Sequence, residues 1–108
     1  MFPMKTSLKN MDYEIRWLRR ASTELTKIYH YYEQVAGKKV AIRRLGRISE
    51  SVLKLKDMPY LGVLDQDFPH EPNYRHLTVL DYKIYYFVDE TVVYIASIWD
   101  CRQGSEAF

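Results

Sequence analysis

The spacing of apolar residues changes along the chain, and each change marks a different element. In DYEIRWLRR, Tyr13, Ile15 and Trp17 alternate with Glu14 and Arg16, which predicts a half-buried strand. From Ala21 the period lengthens. Ala21, Leu25, Ile28, Tyr29, Tyr32, Val35 and Ala36 recur at helical spacing, with Ser22 as candidate N-cap and Glu24 in the first turn, near the positive end of the helix dipole. Gly37 stops this helix where a left-handed residue costs least. A second helix carries Ala41, Leu45, Ile48, Val52 and Leu55 on one stripe and ends before Pro59. So short a link makes the pair an antiparallel hairpin.

PYLGVLDQDFPHEP has three prolines, a glycine and no period, so it reads as a loop. NYRHLTV, DYKIYYFV and TVVYIASIW follow as three β-rich runs with short breaks. The order β-α-α-β-β-β predicts an α+β domain, a helical hairpin packed on a mainly antiparallel four-stranded sheet. Residues 1–10 read as an N-terminal tail and 11–108 as the domain; Met1, Met4 and Met11 each offer a start.

Hairpin loop length decides which side chains share a face. An even loop puts Leu77 and Val79 beside Tyr82, Ile84 and Tyr86, a good core face; an odd one would put Leu77 beside Lys83. The even register gathers His76, Lys83 and Tyr85 on the opposite face and leaves Arg75 at the core-side rim. With Asp89 and Glu90 as the next turn, Val93, Ile95 and Trp99 are expected in the core, and Arg102 is expected to join His76 and Lys83. An arginine fork, a lysine point charge and a histidine suit a phosphodiester; the plain alternative is surface pairing with Asp81, Asp89 or Asp100.

Charge sharpens this picture. Met1 to Lys56 holds 13 Lys/Arg against 5 Asp/Glu, and Asp57 to Phe108 holds 3 against 9, which together give the formal net charge of +2. The basic half suits phosphates or an acidic partner. The run from Val92 to Trp99 is too short to span a bilayer, and no secretion signal is evident, so no membrane role is expected and a cytoplasmic location is the default. The single Cys101 precludes an intrachain disulfide and suits a reducing compartment. His30, His70 and His76 lie at no metal-ligand spacing, and no phosphate-binding loop or nucleophile elbow is present, so neither metal nor cofactor is expected.

From Met11 to the end the chain resembles the RelE/ParE superfamily of bacterial toxins. The resemblance is carried by LRRASTELTKIYHYY, by YRHLTVLDYKIYYFVDETVVYIASI and by the closing IWDCRQ, in the family's order and spacing. It implies a small growth-inhibiting toxin of a type II toxin–antitoxin pair, neutralised by a cognate antitoxin. Two branches then stand open. ParE-like members inhibit DNA gyrase; RelE-like members are ribosome-dependent mRNA endoribonucleases, which need a base for the ribose 2′-hydroxyl and positive groups for the transition state. A non-toxic phosphate- or protein-binding module on the same fold is a third reading.

Aligned on LTVLDYKIYY, Lys83 falls where RelE-like members carry a phosphate-binding arginine, and His76 and Tyr74 fall at catalytic lysine positions. Arg102 matches the arginine after the last strand, and Phe108 stands where the nuclease branch has a tyrosine. A phenylalanine stacks but exchanges no proton. The nuclease set is thus incomplete, and with the long hairpin it favours the ParE-like branch. The resemblance implies His76, Lys83 and Arg102 as catalytic residues under the nuclease reading, and Arg75, Lys83, Tyr85, Arg102 and Phe108 as target contacts. Tyr29, Tyr32, Arg43 and Arg47 are expected to meet the antitoxin.

Overall fold

Two helices that meet at a single glycine lie against one face of a sheet. The computed structural model describes residues 13–66 and 72–102, in the order β1(Glu14–Trp17), α1(Arg19–Ala36), α2(Lys38–Leu53), a 3-10 turn (Lys54–Lys56), β2(Val63–Leu64), β3(Arg75–Val79), β4(Tyr82–Asp89) and β5(Val92–Asp100). Gly37, at φ 95°, ends α1 and leads straight into α2, so the expected hairpin forms with no loop. The helix before it starts earlier than expected. Leu18, not Ser22, is at the N-cap: its N–H donates to the Ile95 carbonyl at 2.9 Å, and the chain turns helical immediately. Glu24 therefore lies beyond the first turn, and its carboxylate accepts the N–H of Ile98 at 2.7 Å.

The sheet runs β1-β5-β4-β3-β2, with β1 parallel to β5 and every other pairing antiparallel. It has five strands where four were expected. The extra one, β2, is two residues long with both side chains exposed, too short to show a period. It is held by Gly62, whose N–H donates to the buried Tyr86 hydroxyl at 2.7 Å, and by Arg75, which donates to the Gly62 carbonyl at 2.9 Å.

The even register holds. Leu77 pairs with Ile84 and Val79 with Tyr82, so these residues, with Tyr86, Val93 and Ile95, face the helices, where Ala21, Tyr32, Ala41, Ile48, Val52 and Leu55 complete the core. Both hairpins have two-residue loops, with Leu80 and Glu90 at φ 56° in the first position; the second turn is Glu90–Thr91, one residue later than expected. Trp99 departs from expectation. Tyr85 pairs with Ser97 while Tyr86 pairs with Ile95, so Ala96 is an extra residue, a β-bulge. Beyond it the alternation of β5 is inverted: Ile98 and Asp100 turn to the helices, and the half-buried Trp99 packs against Tyr85 on the open face.

Two glycines test this packing in opposite directions. A Cβ at Gly62 would lie 2.7 Å from the Tyr86 ring and 2.8 Å from the His76 carbonyl, whereas one at Gly46 in α2 meets nothing within 4 Å. Gly62→Ala should lower stability by roughly 1–3 kcal/mol. Gly46→Ala should raise it by up to about 1 kcal/mol. Denaturant unfolding of the two variants checks both signs.

Candidate functional site

Inversion of β5 decides where Arg102 goes. Asp100 is opposite Tyr82 on the helix-facing side, and the Cys101 N–H donates to the Asp81 carbonyl at 2.7 Å, which fixes the chain as it leaves the strand. Arg102 then folds back on Asp100. Its Nε donates to Oδ1 at 3.0 Å and its Nη2 to Oδ2 at 2.9 Å, a two-point pair that sets the guanidinium plane. The backbone N–H of Arg102 also donates to Asp100 Oδ1, at 2.9 Å. Asp81 is 3.9 Å from Nε.

On its inner side the guanidinium meets two phenols. Nη2 is 3.4 Å from the Tyr32 hydroxyl and 3.5 Å from that of Tyr82, and the Tyr82 hydroxyl donates to Tyr32 at 3.4 Å. Hydrogen bonding from Arg102 holds the Asp100 carboxyl below its usual range. Burial, then the Tyr32 hydrogen bond, pushes the Tyr82 phenol well above its usual range. Among the described residues Nη1 makes no hydrogen bond, and with the side chain 47% exposed it is open to a partner. The neighbouring cleft, about 600 Å³, is lined by Glu24, Lys27, Ile28, Tyr31 and Ile98 together with Tyr82, Asp100 and Arg102.

Residues expected to work together are thus divided between two faces. His76, Lys83 and Tyr85 share the open face, as the register predicts, but Arg102 is on the helix side and does not join them. The physical reason is the Ala96 bulge, which sequence alternation alone does not reveal. His76 is mostly buried against the Tyr85 ring. Its Nδ1 has no hydrogen-bond partner among the described residues, and the Asp65 carboxylate is 3.8 Å away. Tyr85 is buried and Lys83 half-buried. Tyr74 packs edge-on against Phe87, which stacks on Tyr94.

Arg75 is at the core-side rim, as expected, and is occupied there, 5.0 Å over the Tyr60 ring and bonded to Gly62. Phe108 lies outside the described residues. Tyr29 is half-buried against the core and Tyr32 is buried; Arg43 and Arg47 are exposed on α2. Tyr82 is the residue of this cluster that sequence reasoning missed, and Tyr32, expected at the antitoxin interface, meets Arg102 through its hydroxyl. Their helical and strand periods mark them as core, and only their hydroxyls reach the site.

No group of three or more His, Cys, Asp or Glu suited to a metal occurs among the described residues, and no described helix is long and apolar enough to cross a membrane.

A helical hairpin on a mainly antiparallel sheet is the layout of the small toxins of the RelE/ParE superfamily. The family profile of the ParE toxin of the type II toxin–antitoxin system parDE matches residues 15–104, and the chain belongs to that family. Among solved structures it is similar to a chromosomal ParDE toxin–antitoxin system from P. aeruginosa, at 25% identity and a TM-score of 0.68, over 82% of this chain and 96% of the other. A search of curated proteins gives no match. As the toxin of a type II pair, this protein has a cognate antitoxin as its partner.

The Asp100–Arg102 pair predicts a distinct pH response. The lowered Asp100 pKa contributes stability that is present above its ordinary 3.8 and is lost as pH falls through the folded value. The raised Tyr82 pKa contributes stability that is present below its ordinary 10.0 and is lost as pH rises through the folded value. Asp100→Asn should abolish the acid component while costing less than about 1 kcal/mol near neutrality, because the pair is partly solvated. Unfolding curves across pH, with ultraviolet titration of the phenols, check both limbs.

Proposed function

We propose that this toxin halts growth in the cytoplasm by acting on DNA gyrase, with Arg102 as a target contact. The observation that carries the reading is the separation of the cationic groups. A ribonuclease site on this fold needs a base and phosphate-binding charges around one scissile bond. Here His76 and Lys83 are on one face of the sheet and Arg102 is on the other. His76 is also turned inward, with Nδ1 beside the buried Asp65. Arg102, by contrast, is pre-set by Asp100 on a side chain that is about half exposed, which suits a protein contact that must be made without reordering.

Induced expression without the antitoxin is expected to produce DNA breaks and an SOS response with intact mRNA, and the purified toxin is expected to block supercoiling by gyrase. Cleaved mRNA with undamaged DNA would overturn the reading in favour of the nuclease branch. Arg102→Ala should reduce gyrase inhibition by about tenfold or more. His76→Ala, once shown to fold by circular dichroism, should leave it unchanged. A fully active Arg102→Ala would remove this arginine from the target contact.

A further inference from the structure

The two edges of the described sheet are guarded unequally. At one edge β1 carries Glu14 and Arg16, both exposed and joined as an ion pair, and charges on an edge strand deter pairing with another strand. At the other edge β2 is Val63–Leu64, uncharged, with its side chains 64% and 43% exposed. From Met58 to Leu64 the chain holds no charged residue. Met58, Tyr60, Leu61, Val63 and Leu64 make up half of the large hydrophobic side chains exposed among the described residues, so this edge is the apolar patch of the surface.

The stretch is anchored rather than loose. Gly62 is fixed twice, by the Tyr86 hydroxyl on its N–H and by Arg75 on its carbonyl, and Arg75 also lies over the Tyr60 ring. The Leu61 N–H donates to the Met58 carbonyl at 3.1 Å. A patch ordered before any partner arrives loses little entropy on docking. Its backbone groups are set as well. The Asp65 N–H donates to the Tyr74 carbonyl at 2.8 Å, so the alternation of an antiparallel ladder turns the groups of Val63 and Asp65 towards β3 and those of Leu64 away from it.

We infer that two copies of this chain join through β2, antiparallel about a two-fold axis at Leu64, each Leu64 N–H donating to the Leu64 carbonyl of the other copy. Opposed residues share a face, which sets the two Leu64 side chains directly across from one another. The guarded edge decides against the other pairing. β2 against the β1 of a second copy would bring an apolar strand to Glu14 and Arg16 and would grow as an open chain, whereas β2 against β2 closes. The chemistry favours a like surface too, since a stretch without charges offers a charged partner nothing and an equal apolar stretch a full match. Seven residues a side fall short of the roughly 20 that each partner gives a standard interface, which sets a dimer in the micromolar range. It does not depend on which target the toxin acts upon.

The test is sedimentation of the full-length toxin, freed of its antitoxin, over a range of concentrations. The wild-type chain should pass from monomer to dimer as concentration rises through the micromolar range, and the Leu64 amide should exchange its hydrogen more slowly at the upper end. Leu64→Lys and Leu64→Glu each set like charges opposite one another and should dissociate about a hundredfold more readily. Their unfolding midpoints should hold, because Leu64 is exposed. Mixed in equal amounts, the two variants should regain the dimer, which requires position 64 of one copy to lie opposite position 64 of the other. A wild-type toxin that stays monomeric up to about 1 mM would overturn the inference. So would single variants that dimerise like the wild type, or a mixture that stays monomeric. Slowed exchange over 58–64 in the toxin–antitoxin complex alone would give the edge to the antitoxin and overturn it equally. The exchange measurement needs no variant, so it decides on the wild-type chain even if a substitution disturbs folding.

Discussion

One extra residue in the last strand governs where Arg102 and its neighbours lie. Without Ala96 in a bulge, β5 would keep its alternation, Trp99 would enter the core, and Arg102 would face the same solvent as Lys83. With the bulge, Ile98 fills the core, Asp100 comes to lie opposite Tyr82, and the arginine beyond it lands on two phenols and a carboxylate. Ala96 also lines the groove on the open face with Leu18, Tyr74, Tyr85 and Trp99. A single local irregularity thus shapes both faces of the sheet.

Tyr32 ties the remaining parts to that end. Its ring supports Arg44 of α2, while its hydroxyl meets Tyr82 of β4 and Arg102. Glu24, two turns earlier on the same helix, accepts the Ile98 N–H, so α1 grips β5 directly at the strand's inverted segment. Each of these links is modest, since hydrogen bonds contribute roughly 1 kcal/mol net. Together they make helix position and arginine position a single geometric variable.

Much of this was legible in the sequence. The helical period from Ala21, the stop at Gly37, the stripe from Ala41 to Leu55 and the even hairpin register all follow from local rules, because burial on one face enforces them. What escaped was set by tertiary constraint. The helix begins at Arg19 because Leu18 bonds across to Ile95, a contact between distant segments. The strand Val63–Leu64 exists because Tyr86 and Arg75 hold Gly62, and two exposed residues carry no period. The bulge left no mark in the pattern because YIASIW offers an apolar residue in either phase. The pairing of Arg102 with Asp100 was therefore within reach of the sequence as the plain alternative, whereas the face on which that arginine lies was not.

The strand order has a temporal side. β5 lies inside the sheet, between β1 and β4, yet it is the last of the described strands to be synthesised. The parallel register of Glu14 with Val92 joins the two ends of the described chain, a contact of high sequence separation that forms slowly. Until β5 emerges, β1 has no strand beside it, and Tyr13, Ile15 and Trp17 have no sheet to close against. A half-made chain is accordingly not a weaker poison but an incomplete one. The order of synthesis itself delays the closing of the sheet over the helices until the last described strand is made.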